Sequence, residues 1–259
     1  CAPISLLLSL AFAAYPSSEA LTRIARSVLL WPKGNWVDGV YWTLGIEIFF
    51  YFVVFILLAL NVGRTIRWFC VILGTISSTY WLLQWGMQNQ VEFPLLQQLP
   101  QLNSFGRYFE LSLIPHGCYF AIGAVLYVLL CESGSRLLWL AIGYFTVGAC
   151  VEIQATALAQ GSNTQFQMNG LLAQTLWLLS VAVLILSVKF GDRLSKPLSK
   201  LRARDLGSIT YPLYLLHTTV GASLLFLSSK LGLNPWIALV LVLPSVVLIS
   251  YLVHKYCEQ

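Results

Sequence analysis

Residues 42–51 read Trp42-Thr43-Leu44-Gly45-Ile46-Glu47-Ile48-Phe49-Phe50-Tyr51, and they open an apolar run that continues to residue 60. A carboxylate sits inside that run. An acid in a lipid-spanning helix costs about 2.5–3.5 kcal/mol on insertion scales, so chains that keep one generally give it a partner or a task. On a helix, Thr43, Glu47 and Tyr51 recur every four residues and share one face. That face is a polar stripe with the carboxylate at its centre. Gly45, Phe49 and Phe52 lie opposite and suit lipid or a neighbouring helix. The plainer alternative is that Glu47 only ties two helices together through a hydrogen bond.

The rest of the chain fits a membrane. Its 259 residues are 58% hydrophobic and 10% charged, with a mean hydropathy of +0.77. Soluble domains carry about 25% charged residues. The expected class is all-α, a polytopic transmembrane helical bundle forming a single domain over 1–259. A net charge of +5 does not mark a nucleic-acid binder here, because the basic residues fall in loops between apolar runs. Cys1, Cys70, Cys118, Cys131, Cys150 and Cys257 lie in or beside apolar segments without a Cys-x-x-Cys pair. They read as small buried hydrophobes, and no metal site is expected.

Eight apolar segments can be drawn, near 1–15, 40–60, 66–85, 112–130, 136–155, 170–188, 208–228 and 235–256. Most are long enough to cross about 30 Å of hydrocarbon as helices. The front has no basic n-region and is not a signal peptide. The chain reads as a fragment, cut within its first helix and just after its last. Orientation follows the basic residues. Lys189, Arg193, Lys196, Lys200, Arg202 and Arg204 put the loop after the sixth segment in the cytoplasm. Alternation then places Arg64, Arg67, Arg136 and Lys255 inside, with the carboxyl end. Arg23, Arg26 and Lys33, in the 16–39 loop, fall outside against the trend, as do Arg107 and Lys230. Pro115-His116-Gly117 opens the fourth segment. Pro212 is placed in the first turn of the seventh, where proline is tolerated. Phe93-Pro94 to Pro100 reads as a short re-entrant or interfacial piece. Trp31, Trp36, Trp42, Trp81, Trp85 and Trp236 lie near segment ends, as an aromatic belt does.

Two stretches carry a family resemblance. Trp42, Leu44, Glu47, Phe50 and Tyr51 match the pattern Trp-x-Leu-x-x-Glu-x-x-Phe-Tyr. Leu206-Gly207-Ser208-Ile209-Thr210-Tyr211-Pro212-Leu213-Tyr214-Leu215-Leu216-His217 resembles Leu-Gly-x-x-Ser-Tyr-x-x-Tyr-Leu-x-His, with Thr210 in place of the commoner serine. Both resemble the membrane-bound acyltransferase-3 family, integral-membrane O-acyltransferases related to O-antigen and exopolysaccharide acetylases. The resemblance implies a fold of about ten helices, two of them ahead of Cys1, in a bacterial inner membrane. It implies acyl-CoA, with acetyl-CoA foremost, as co-substrate, no bound cofactor, and a glycan or glycolipid acceptor. Such enzymes are thought to use a histidine on their first helix and arginines near the second and third. Those regions would precede Cys1 and map onto no residue here, so no CoA-binding residue is assigned.

The residues themselves suggest the following chemistry. Acyl transfer from a thioester to a hydroxyl needs a base for the hydroxyl proton. Histidine is the usual choice, with a carboxylate to orient it or balance its charge. Glu47 and His217 are the catalytic candidates. Trp42, Tyr51, His116, Tyr211 and Tyr214 are the substrate-binding candidates, and Tyr51, Tyr211 and Tyr214 offer hydroxyls to an oxyanion. On the drawn topology Glu47, His116 and Glu152 could line one outward cavity with His217 at its floor. Each has a plainer alternative. His217 can be an interhelical hydrogen-bonder, His116 can face the interface, and Glu152, near a segment end, can reach water. His254 reads as solvated. The basic residues of 189–204 set topology, or alternatively steer the phosphates of CoA. A transporter or flippase for a lipid-linked glycan is the rival reading, with Glu47 and His217 binding substrate or relaying protons. An inactive structural subunit is the third.

Overall fold

A computed structural model describes residues 17–31, 33–62, 65–89, 105–131, 136–163, 169–190 and 203–258. Among these the secondary structure is all helical. The helices are α1 (Ser17–Val28), α2 (Tyr41–Ala59), α3 (Ile66–Gln88), α4 (Arg107–Leu111), α5 (Gly117–Cys131), α6 (Arg136–Asn163), α7 (Gly170–Lys189), α8 (Ala203–Lys230) and α9 (Pro235–Val253). A π-helical turn, His254–Glu258, extends the last. Six of them, α2, α3, α6, α7, α8 and α9, are long and apolar enough to cross a membrane, and α5 is a shorter apolar helix. At about 1.5 Å per residue, a helix of α2's length matches a hydrocarbon layer of about 30 Å.

The described residues fall into two compact units. One draws on 1–47 and 196–259, the other on 48–195. In the first, α8 packs along α9 through Leu216, Val220, Val242, Val246 and Val253. The two helices form a tight hairpin. Gly232, at φ +68°, supplies a left-handed turn residue. Asn234 then caps α9 by accepting the Trp236 N–H, and Pro235 takes the first helical position. A second apolar cluster joins Val40, Tyr41 and Leu44 of the α2 entry to Leu215 of α8.

In the second unit α3, α5 and α6 pack on one another and α7 packs on α6. Ala121, Ile122, Val125, Phe145 and Ala149 lie at the centre of this core. Two glycines permit the close approach. A Cβ on Gly74 would lie 2.4 Å from Ala121 Cβ, and one on Gly117 would lie 2.7 Å from Leu73 Cγ.

Several expectations change. The 16–39 loop contains a helix, α1, whose polar residues had hidden it from a hydropathy reading. α6 runs to Asn163, two turns past the expected end at 155, because Ala-Gln-Gly-Ser-Asn continues the helix beyond its apolar part. α8 starts at Ala203, so Pro212 lies in its interior rather than its first turn. Arg204 is likewise helical. Segment 1–15, the 93–100 stretch and most of the basic 189–204 stretch lie outside the described residues.

Candidate functional site

Two polar clusters stand out, one in each unit. The first joins the two sequence motifs. Asp38 lies in the turn before α2 and is only 4% exposed. Its Oδ1 accepts the Val40 N–H at 3.2 Å, and its Oδ2 accepts the Thr219 hydroxyl of α8. A carboxylate here also meets the positive end of the α2 dipole. One turn on, the Thr43 and Tyr214 hydroxyls meet each other. Both also reach the Val40 carbonyl, at 3.1 Å from Thr43 and 3.2 Å from Tyr214. That carbonyl, just before α2, also accepts the Thr43 N–H at 3.4 Å.

Glu47 follows one turn after Thr43, half-buried, and its charge lies within electrostatic reach of Tyr214. Among the described residues it has no hydrogen-bond or ion-pair partner. His217 lies three residues after Tyr214 on α8. Its Nδ1 is 2.7 Å from the Tyr214 carbonyl. A carbonyl only accepts, so Nδ1 carries the proton and the neutral ring keeps its lone pair on Nε2. The Thr218 hydroxyl stands 3.3 Å from Nε2. The geometry gives a histidine held in one tautomer, with a proton-accepting nitrogen on an exposed ring. Pro212 is fully buried one turn earlier. It carries no N–H to donate within α8.

The second cluster lies in the other unit. His116 ends the turn that leads into α5. Its Nδ1 is 2.6 Å from Oε1 of Glu152 on α6. The Cys118 thiol donates to Oε2 at 3.4 Å, and Tyr119 is a further hydrogen-bonding neighbour of the carboxylate. The backbone beside His116 is held from α3. The Pro115 carbonyl accepts the Trp81 indole N–H at 2.6 Å and the Ser77 hydroxyl at 3.3 Å. Leu113, at φ +67°, sets the preceding turn. Glu152 is 4% exposed. This corrects its placement near a helix end with access to water: three more turns of α6 follow it.

The sequence candidates therefore divide. Thr43, Glu47, Tyr214 and His217 gather in the first cluster, and His116 joins the second. Trp42, Tyr51 and Tyr211 are exposed. Tyr51 makes an edge contact with Phe50 at 5.9 Å between ring centroids. Asp38, Thr219 and the pairing of Glu152 with His116 escaped the sequence reading. Asp38-Gly39 just ahead of an apolar helix is a helix-start signal that would have flagged the first of these. Cys70 and Cys118 are buried free thiols.

Comparison with curated proteins and with solved structures gives no match. A family model described as an acyltransferase domain matches residues 2–255. With nearly the whole chain inside that match, and both motif stretches lying within it, the protein belongs to the acyltransferase-3 family of multi-pass membrane acyltransferases.

Proposed function

We propose that the protein is an integral-membrane O-acyltransferase that moves an acyl group, acetyl foremost, from acyl-CoA to a hydroxyl of a glycan or glycolipid. The observation that carries this reading is Glu47. It is a half-buried acid in a spanning helix with no protein partner among the described residues, and the same cluster holds a histidine whose Nε2 is held as an acceptor. An intramembrane carboxylate without a partner is expected to serve a substrate. Hydroxyl-rich rings supply the donors it lacks.

In the proposed step the acceptor hydroxyl oxygen bonds to the thioester carbonyl carbon while its proton passes to His217 Nε2. Hydroxyl donors, Tyr214 among them, meet the oxyanion. Collapse re-forms the carbonyl, breaks the carbon–sulfur bond and releases the CoA thiolate, which recovers the proton from His217. Glu47 orients the acceptor by accepting its neighbouring hydroxyls. The Tyr214 carbonyl on Nδ1 stabilises the imidazolium between the two proton transfers. Trp42 and Tyr211 offer exposed aromatic surface to the acceptor. The positive-inside rule assigns Lys189, Arg204 and Lys255 to the cytoplasm, the acyl-CoA side of a bacterial inner membrane.

Labelled acetyl transfer from acetyl-CoA in membranes expressing the protein tests this. Glu47→Gln is expected to raise the KM for the acceptor. His217→Ala is expected to lower kcat by about 10²–10⁴, the usual worth of a general base. Full transfer by both variants at equal expression would refute the assignment.

A further inference from the structure

The unit of residues 48–195 holds a cavity of about 260 Å³ between α3, α6 and α7. On α6, which packs on both other helices, Thr146, Cys150 and Gln154 recur every four residues and share one face. Trp85 lines the cavity from α3, and Gln174 and Leu178 line it from α7. Two contacts fix the register of α7 on α6. The Gln174 Nε2 donates to the Cys150 carbonyl at 2.7 Å. The Gln154 carboxamide lies against Gly170, where a Cβ would come within 2.2 Å of Oε1. Four residues back on α6 thus match four forward on α7, and the next level in that antiparallel register pairs Thr146 with Leu178.

These levels have places in the membrane. Gly170 is the first residue of a candidate span, and Trp85 lies in the last turn of α3, which ends at Gln88. The Gln154 level is therefore near the edge of the hydrocarbon layer. The Thr146 level lies about 12 Å deeper, at about 1.5 Å per residue. The cavity is polar at its edge and apolar in its depth. At the edge, Gln154 Oε1 is buried and has no hydrogen-bond partner among the described residues. A buried polar atom of that kind calls for an explanation. The apolar lining opens onto lipid: Trp85 is 52% exposed, Val147 50% and Leu178 41%, all on spanning helices.

Water does not suit this space. At about 30 Å³ per molecule it would take about nine waters, each needing two to four polar partners, and the lining is mostly apolar. The hydrocarbon layer offers acyl chains instead. An ester-linked chain has the same gradient as the cavity, a carbonyl at the edge and methylenes below it.

We propose that this cavity binds one acyl chain of a bilayer phospholipid. The ester carbonyl accepts from the Gln154 carboxamide, which turns away from Gly170 to meet it. The methylenes lie along Val147, Val151 and Leu178 toward the membrane centre.

The test is photolabelling of the full protein in phosphatidylcholine nanodiscs that carry phosphatidylethanolamine with a diazirine in its acyl chain, read by peptide mass spectrometry. Adducts on the 146–154 and 171–178 segments are expected at a probe concentration about tenfold below that which labels the exposed Val240 and Leu243 of α9, a preference of about 1.4 kcal/mol over boundary lipid. Leu178→Trp and Val147→Phe fill the cavity from two helices at exposed positions. Each is expected to remove the excess labelling and to leave that of α9 unchanged. Gln154→Leu is expected to weaken the site about 2–10-fold, the net worth of one hydrogen bond. Equal labelling of the cavity and α9 at every concentration would show ordinary boundary lipid and overturn the proposal. Reaction of Cys150 with a membrane-impermeant maleimide would show water in the cavity, and exclusion of both probes would show a protein segment over it; either would overturn it equally. An unchanged thermal transition for each variant secures the comparison.

Discussion

Replacing His116 with leucine is expected to destabilise the protein by about 3 kcal/mol, because it strands a buried carboxylate. Glu152 is 4% exposed and stands 2.6 Å from His116 Nδ1. Removing one member of a buried pair costs about 3–5 kcal/mol, most of it from the charge left behind. The lower end applies here, since Glu152 retains the Cys118 thiol at 3.4 Å and the Tyr119 hydroxyl as weaker donors. Leucine also fills much of the imidazole volume, so the cavity term is small. Glu152→Gln keeps a carbonyl for Nδ1–H and exchanges a charge-assisted bond for a neutral one, at a cost of about 1 kcal/mol. Glu152→Leu loses the acceptor outright but leaves a histidine that is partly exposed. Combined with His116→Leu it leaves no stranded charge, and apolar replacements of buried pairs are often near neutral. The double leucine variant should therefore be more stable than His116→Leu alone. Equilibrium unfolding of the detergent-solubilised protein, run as a double-mutant cycle, reads this directly. A double variant equal to the sum of the singles within about 0.5 kcal/mol would show the two groups to be uncoupled and would refute the reasoning.

Two further stability effects follow from contacts in the structure. Thr43→Val and Tyr214→Phe should each cost about 1 kcal/mol, and the pair little more than either alone, since each removes the same hydroxyl contact; strict additivity in unfolding free energy would contradict the shared bond. Gly74→Ala would bring a Cβ within 2.4 Å of Ala121 Cβ and 2.9 Å of Phe145 Cζ. It should cost about 1–3 kcal/mol, and Ala121→Gly in the same chain should restore much of it; a lower transition temperature that the second change leaves untouched would place the strain elsewhere.

Burial of apolar surface and the expense of an acid in lipid were both legible in the sequence, and they located the spanning helices and Glu47. What they could not supply was helix built from polar residues. α1 contains Ser, Glu, Thr and Arg between its apolar positions, so no apolar run announces it. Its signal is the spacing of Leu21, Ala25 and Val28, which only a periodicity reading detects. The same blindness ended α6 too early and began α8 too late, and each error misplaced one residue: Glu152 was set near water, and Pro212 in a first turn. The partners of Glu152 depend on which way side chains turn on α5 and α6, which hydropathy does not encode. His217 was found because its neighbours spell a motif. The fixing of its tautomer by the Tyr214 carbonyl is a matter of rotamer and distance, and no spelling reveals that.

The ties between the motifs constrain the roles of the two catalytic candidates. Asp38 pairs with Thr219 and Thr43 pairs with Tyr214, so the 38–43 segment runs antiparallel to α8. Five residues forward on one side correspond to five backward on the other. From the Thr43–Tyr214 tie, Glu47 lies four residues along α2 in one direction and His217 three residues along α8 in the other. Seven residues of helix separate those levels, about 10 Å along the axis. A carboxylate at that distance does not orient the imidazole by a direct hydrogen bond, and the Tyr214 carbonyl already occupies Nδ1. Glu47 is thus better placed to hold the substrate than to hold the base. In the proposed step the acceptor sits between them, its hydroxyls accepted by Glu47 and its proton by His217. For this reason Glu47→Gln and His217→Ala are expected to divide between KM and kcat. A carboxylate that acted through His217 would instead give both variants the same kinetic signature.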